Sequence, residues 1–338
     1  MNLVTGATGI VGSHVVLTLL QNNQPVVACK QSGSDVKRLE ELFSFYTKNA
    51  KHLLEKVQWR EIDIRDIFSL EEALEGITQV YHCAGFVSFN ASDRKKLKEI
   101  NEQGTRNMVD ACLHKGVAGF CHVSSVATIN NLDYTLPLTE QVFWKTSGKE
   151  SDYAISKYNA EREVWRGIEE GLNAVIVNPG VILSPGFWGQ SSSRLFETCY
   201  KGNRFYTDGL ASYVSAKDVA ECMVQLMSKQ LFNNRYILIE NNYPYKDILS
   251  WIQADFNQAV PAYKVPKLML NLARMLEAAF TVFTGKERRL SKPMVHAAFN
   301  KQIFSNKKIK EALGFEFSSA RRAIEQICLY QRNLSSKP

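Results

Sequence analysis

The chain has 338 residues, 45% hydrophobic and 22% charged, enough for a large core in one big domain or two. Seven cysteines (Cys29, Cys83, Cys112, Cys121, Cys199, Cys222, Cys328) form an odd set with no C-x-x-C spacing, read as buried free thiols in a reducing compartment. Six histidines include no H-E-x-x-H or similar pair, so no metal is expected. The net charge of +7 is uneven: residues 261–338 hold 15 Lys+Arg against 5 Asp+Glu, and residues 1–260 hold 26 against 29. No nucleic-acid motif accompanies the basic quarter, so nucleic acid is excluded as a partner; a solvated surface is expected there, ahead of an anionic substrate or a membrane surface.

Leu3-Val4 begins a short apolar strand, and Ser13 to Leu20 is apolar and helical. Between them stands Thr5-Gly6-Ala7-Thr8-Gly9-Ile10-Val11-Gly12. Three glycines between a strand and a helix allow a tight turn, close backbone approach to a pyrophosphate and close helix packing. Phosphates then meet free N–H groups at the helix N-terminus, where the macrodipole favours negative charge. Gly6, Thr8, Gly9, Ile10 and Gly12 are therefore candidate dinucleotide contacts; the plainer alternative is a glycine-rich turn with no ligand. No secretory signal is expected ahead of so early a strand, and a cytoplasmic location follows.

Strand-like runs continue at Pro25–Cys29, Val57–Ile64, Gln79–Cys83, Gly119–Ser124 and Ala174–Asn178. Helical patterns lie between them at Val36–Phe45, Leu70–Leu74, Gln103–Lys115 and Tyr153–Glu170. The alternation predicts an α/β fold, a doubly wound parallel sheet covered on both faces, with ligands at the carboxyl ends of the strands. The end of the second strand, Ala28 to Ser34, offers no acid before Asp35 to accept from a ribose 2′-OH. Lys30, with Lys37 and Arg38, can instead neutralise a 2′-phosphate. The expected cofactor is NADP, with NAD left open.

Tyr153 and Lys157 stand four residues apart on one helical face, 28 residues after Ser125. A tyrosine with its ordinary pKa near 10 is a poor general base at neutral pH. A fixed ammonium nearby favours the phenolate and brings that value toward the useful range. Lys157 can also donate to ribose hydroxyls, and a serine hydroxyl at the end of the preceding strand can hold a substrate oxygen. Y-x-x-x-K recurs by chance on helix surfaces; following the glycine turn and Ser125, it reads as catalytic.

In this order the motifs resemble those of the extended short-chain dehydrogenase/reductases, the NAD(P)-dependent epimerase/dehydratase family, along nearly the whole chain. Thr5 to Gly12 matches T-G-x-x-G-x-x-G, His82-Cys83-Ala84-Gly85 matches H-x-A, and Asn101 to Thr105 matches N-x-x-G-T. Ser124-Ser125, Tyr153 with Lys157, and Pro179-Gly180 follow. The resemblance implies a Rossmann domain over residues 1–180, rejoined by 209–243, and a smaller substrate-binding lobe of 181–208 and 244–338. It implies that Asp63, with Ile64 beside it, contacts adenine, and that Cys83, Ala84, Gly85, Pro179, Gly180 and Ile182 flank the cofactor. Ser125 is then the catalytic serine, with Ser124 in reserve, while Asn101 and Asp218 mainly support structure.

Val126-Ala127 follows Ser125 where nucleotide-sugar 4,6-dehydratases carry Asp-Glu, so the groups for water elimination are missing. Val177 to Gly186 is similar to the N-P-x-x-V-x-G-P of dihydroflavonol 4-reductase-like and 3β-hydroxysteroid dehydrogenase-like enzymes, as is the Leu313-Gly314-Phe315 stretch. The implied activity is reduction of a ketone or aldehyde, or oxidation of the alcohol, on a small, partly apolar substrate. An NAD-dependent nucleotide-sugar epimerase is the alternative, and a non-catalytic dinucleotide sensor a third reading that the Ser-Tyr-Lys set disfavours. The resemblance also implies a homodimer.

After Pro179 the pattern breaks into Gly/Pro/Ser-rich loops over Leu183–Ser193. Phe86 to Phe89, the loop Ile129–Ser151 with Trp144, and Phe187 with Trp188 are candidate pocket linings, Phe86 first because it follows a strand end. Late in the chain Val265–Thr284 is apolar and helical, interrupted by Lys267, Arg274 and Glu277, and so a poor membrane span. A packed lobe helix is expected; a helix lying on a membrane, flanked by Arg288 and Arg289, is the less common meaning.

Overall fold

The computed structural model describes residues 1–130, 137–148, 150–189, 191–284 and 290–335. Arg288, Arg289 and part of the loop between Ile129 and Ser151 thus lie outside the described residues. The first half alternates as β1 (Asn2–Thr5), α1 (Ile10–Gln21), β2 (Val26–Lys30), α2 (Lys37–Tyr46), α3 (Ala50–Glu55) and β3 (Gln58–Glu61). It continues with α4 (Ile67–Ala73), β4 (Gln79–His82), α5 (Arg94–Leu97), α6 (Gly104–His114), β5 (Gly119–Val123), α7 (Asp152–Glu169) and β6 (Ala174–Pro179). There follow β7 (Val181–Leu183), α8 (Arg194–Tyr200), β8 (Phe205–Tyr206), β9 (Leu210–Ser215), α9 (Ala216–Ser228), β10 (Asn234–Leu238) and β11 (Asn241–Pro244). The chain closes with α10 (Tyr245–Asp255), β12 (Tyr263–Lys264), α11 (Lys267–Thr284), α12 (Lys292–Ala297), α13 (Lys307–Leu313) and α14 (Ala320–Ser335).

Seven parallel strands form the central sheet in the order β10-β6-β5-β4-β1-β2-β3. This is the doubly wound Rossmann order, with its switch point between β1 and β4. Strands β1, β5 and β6 are buried along their whole length, because a parallel sheet covered on both faces has no solvent side. That is why Val26-Val27-Ala28-Cys29 and Ala174-Val175-Ile176-Val177 read as unbroken apolar runs rather than alternating ones.

Each face has its own core. Val15, Val16, Leu19 and Leu20 of α1 meet Val219, Met223 and Leu226 of α9 on one side. Met108, Val109 and Cys112 of α6 join Leu70 of α4 and Val164 of α7 on the other. Burying each such side chain is worth roughly 1.5–3 kcal/mol, which holds the sheet between its helices. A third core, with Phe196, Ile248, Ile252, Phe256, Ile324 and Cys328, binds α8, α10 and α14 into a separate cluster beside a small sheet ordered β11-β9-β7. The seven cysteines are free thiols, six buried and Cys83 half-buried.

Candidate active site

The strand-to-helix turn is closed by its glycines. Gly6 has φ +61°, and a Cβ there would fall 2.7 Å from the Ala84 backbone nitrogen. At Gly12 a Cβ would fall 2.2 Å from the Gly6 carbonyl oxygen. Side chains at these positions would push the turn off β4 and open the helix. Gly9 caps α1 without a side chain, and the first turn, Ile10 to Ser13, carries no acid to repel an anion.

The other motifs are tied to this turn from below. Thr5 Oγ1 accepts the Ala84 N–H at 3.1 Å and lies 2.9 Å from His82 Nδ1, while His82 Nε2 lies 3.1 Å from Thr105 Oγ1. A neutral imidazole satisfies both hydroxyls, and burial lowers the His82 pKa to about 3, with the Lys157 charge adding to the effect. Asn101 clamps the next residues: its Oδ1 accepts the Phe86 N–H at 2.7 Å, and its Nδ2 donates to Phe86 O and Ser156 Oγ, both at 2.9 Å. Asp218 in turn accepts from the N–H and hydroxyl of Ser318.

Ser125, Tyr153 and Lys157 converge beyond the end of β5. Ser151 caps α7, accepting the Ala154 N–H at 3.1 Å, so the helix begins just before Tyr153. Ser125 and Tyr153 line the same cavity. The Lys157 ammonium donates to Val123 O at 2.7 Å, and burial pulls its pKa down to about 8. The expected lowering of Tyr153 by Lys157 is not what this geometry gives. Burial raises the Tyr153 phenol above its ordinary value, and the opposing contact is Ser125. The Ser124 hydroxyl points elsewhere, donating to Glu161 Oε2 at 2.8 Å, which leaves Ser125 as the serine beside the tyrosine.

Glu161 was not singled out by the sequence, yet it organises the floor of this site. Its Oε2 accepts from Ser124, from Thr128 Oγ1 at 2.9 Å and from Asn178 Nδ2 at 3.0 Å. Its Oε1 accepts from Arg235 Nη1 at 2.9 Å, and Asn178 also donates to Ser125 O at 3.1 Å. The turn bearing Ser125 is thereby fixed from both sides. A signal was present: Tyr153, Lys157 and Glu161 follow one another at intervals of four along one face of α7.

A cavity of about 1940 Å³ runs across these elements. Of the residues expected at the cofactor and substrate, Gly9, Ile10, Cys83, Gly85, Phe86, Ser125, Tyr153, Lys157, Gly180 and Ile182 line it. Gly6, Gly12, Ala84 and Pro179 support it from behind, and Thr8 sits half-buried on the glycine turn. Lys30 lies 3.7 Å from Glu61 and Arg38 lies 5.7 Å from the Phe187 ring, both off the lining. Asp63 is held by the Arg65 guanidinium, which lowers its pKa, and Ile64 is buried against Gly104 and the α4–α6 core. Trp144, expected along the pocket, instead stacks on Tyr158 with rings 4.5 Å apart, on the flank of α7 away from the cavity. Trp188 likewise packs against Tyr200 and Phe256, while Phe187 reaches the lining.

The residues present fit a dinucleotide: a turn that only glycine permits, an uncovered helix N-terminus, and one cavity joining Gly9 to Tyr153. Fold and site together define a dinucleotide-binding Rossmann enzyme with a Ser-Tyr-Lys set. The model of the NAD dependent epimerase/dehydratase family matches residues 2–238, and the chain belongs to that family. Sterol demethylase protein B of Methylococcus capsulatus is 29% identical over 276 residues, covering 80% of this chain and 79% of that protein. Cinnamoyl-CoA reductase 1 of Petunia hybrida is 25% identical over 340 aligned positions, 97% of this chain and 89% of that one. Among solved structures, gox2253 is similar with a TM-score of 0.83 at 25% identity, covering 100% of this chain and 99% of that one. A UDP-glucose 4-epimerase of Thermus thermophilus, solved with NAD, shares the fold with a TM-score of 0.74 at 19% identity over 98% of each chain. The extended short-chain dehydrogenase/reductase resemblance read from the motifs is thus borne out.

Proposed function

We propose that this chain is an NAD(P)-dependent oxidoreductase that reduces a ketone or aldehyde, or oxidises the corresponding alcohol, on a small, partly apolar substrate. The observation that carries this reading is the placement of Ser125, Tyr153 and buried Lys157 on one cavity that also reaches the glycine turn. When bound, the nicotinamide cofactor supplies the hydride to the carbonyl carbon or accepts it from the alcohol. Ser125 donates a hydrogen bond that fixes the substrate oxygen, and Tyr153 passes its phenolic proton to that oxygen in the reductive direction. Lys157, its ammonium donating to Val123 O at 2.7 Å, lines the same cavity and is placed to donate to the ribose hydroxyls of a bound dinucleotide. The lobe of residues 181–208 and 244–338 encloses the substrate, with Phe86 and Phe187 as apolar walls.

The name of the Petunia relative supports carbonyl reduction, and that of the Methylococcus relative supports an apolar ring substrate. The test follows absorbance at the reduced-nicotinamide band with aldehydes, flavanonols, ketosteroids and UDP-sugars. Cofactor oxidation by one carbonyl class is the expected result. Interconversion of a UDP-sugar with no net absorbance change would replace this reading with the epimerase.

NADP over NAD is the finer part of the proposal. It rests on the missing acid at the end of β2 and on Arg38; Lys30 contributes less, being paired with Glu61. A preference of roughly tenfold is expected, about one charge-assisted contact. A Kd for NAD equal to or tighter than that for NADP overturns it.

A further inference from the structure

We propose that α11 is a docking face for an anionic lipid surface, set at the mouth of the cavity. Leu268, Met269, Leu272, Met275, Leu276 and Phe280 are each more than half exposed. At 100° per residue they fall within an arc of about 140°, a single apolar stripe along the helix. The opposite side carries the polar residues: Glu277 and Thr281 line the cavity, and the Glu277 carboxylate accepts the Leu290 N–H at 2.7 Å. This differs from the expected packed lobe helix, because the helix is turned with its apolar face outward. Contiguous patches of this kind mark interaction surfaces rather than ordinary solvent faces.

Charge selects the occupant. Residues 261–338 carry a threefold excess of Lys+Arg, 15 against 5 acids. On α11 Lys267 is exposed, whereas Glu277, its one acid, faces the cavity; Lys292, opening α12 alongside, is exposed too. A second copy paired through the same stripe would set these like charges against each other. Anionic headgroups complement them while the stripe enters the acyl boundary. Exposed Phe205 and Tyr263, with rings 6.0 Å apart on the strand pair leading into α11, add aromatic groups of the kind that settle at a bilayer interface. Among the described residues no helix is long and apolar enough to cross a membrane, so α11 would lie on the surface.

Placement gives the docking a use. Phe280 is exposed and also lines the cavity, and Glu277, Thr281, Pro293 and Met294 continue that rim. A docked α11 thus brings the edge of the cavity at Phe280 and Met294 to the lipid, so a substrate dissolved in the bilayer has a route to Tyr153 that begins at the membrane surface. That last step rests on the function proposed above; the docking does not.

The test is co-sedimentation of the full chain with vesicles of equal parts phosphatidylcholine and phosphatidylglycerol, and with phosphatidylcholine alone. Binding to the mixed vesicles, weakened by salt, is expected. The double variant Leu272→Glu/Leu276→Glu should keep its thermal midpoint and cofactor Kd while partitioning at least ~10-fold less, since two apolar anchors are removed. Equal binding to both vesicle types, no binding to either, or a variant that sediments like the native chain overturns the proposal. So does a dimer that the double variant abolishes without any vesicle binding. Turnover of a water-soluble carbonyl compound, measured in parallel, reports on the proposed function independently of docking.

Discussion

On the sheet side of the cavity, Ser125 sits on a half-buried turn and Lys157 is buried on its helix, and Glu161, Asn178 and Thr128 beneath them are each no more than 2% exposed. On the lobe side, α11 and α12 present Leu268, Met275 and Met294 to solvent, and the residues of these helices that reach the cavity, such as Glu277, Phe280 and Met294, are half-buried or exposed. The sheet wall is held by hydrogen bonds whose partners are fixed by strand register. The lobe wall is held by a few helix contacts and can change its side chains without moving the sheet. Groups that must keep fixed distances belong on the first wall, and groups that select a substrate or a surface belong on the second.

Substitution on the two walls should therefore have unequal consequences. Glu161→Leu removes the acceptor for Ser124, Thr128 and Asn178 and leaves half-buried Arg235 without its carboxylate. Stability should fall by about 3 kcal/mol or more, read from urea unfolding, with Ser125-dependent turnover lost alongside. A loss below about 1 kcal/mol would mean that the sheet wall is no more tightly held than the lobe.

Acid should attack the sheet wall next. Burial lowers His14 to about 4 and His82 to about 3 from an ordinary 6.5, and His122, buried beside His82, is lowered as well. Below pH 6.5 the unfolded chain takes up protons that the native rings refuse, so stability falls as pH drops from 6.5 toward 4. The slope approaches about 1.4 kcal/mol per pH unit for each ring. Urea midpoints between about pH 7.5 and 5 check this, and His14→Gln should flatten the curve. A pH-independent midpoint would break the argument.

The smallest effect belongs to the lobe wall. Leu272→Glu on exposed α11 should change stability by no more than about 0.5 kcal/mol, since it touches no core. A larger loss would show that the stripe is packed in solution.

The contrast also explains what the sequence disclosed. Parallel strands buried on both faces read as apolar runs, and β1, β2, β4, β5 and β6 lie within a few residues of where those runs put them. The glycine turn and the Tyr153–Lys157 spacing are local, so both were legible. Glu161 with Arg235 was not, because its partners lie 74 residues apart and no period links them. Trp144 was misplaced for a related reason: nothing local says that an indole in a loop will stack on Tyr158. The small sheet of β7, β9 and β11 escaped notice because its strands are short and widely separated in the chain. For α11 the helix was legible from its apolar content, but the side it would bury was not, since the same stripe serves a core or a surface.

The most direct test of the central claim is Tyr153→Phe, assayed for turnover on the carbonyl compound the native chain reduces and for cofactor binding by quenching of protein fluorescence. The phenolic proton is proposed as the one delivered to substrate, so turnover should drop roughly 10²–10⁴-fold with the cofactor Kd unchanged. Near-native turnover with intact cofactor binding would contradict the account and remove Tyr153 from the chemistry.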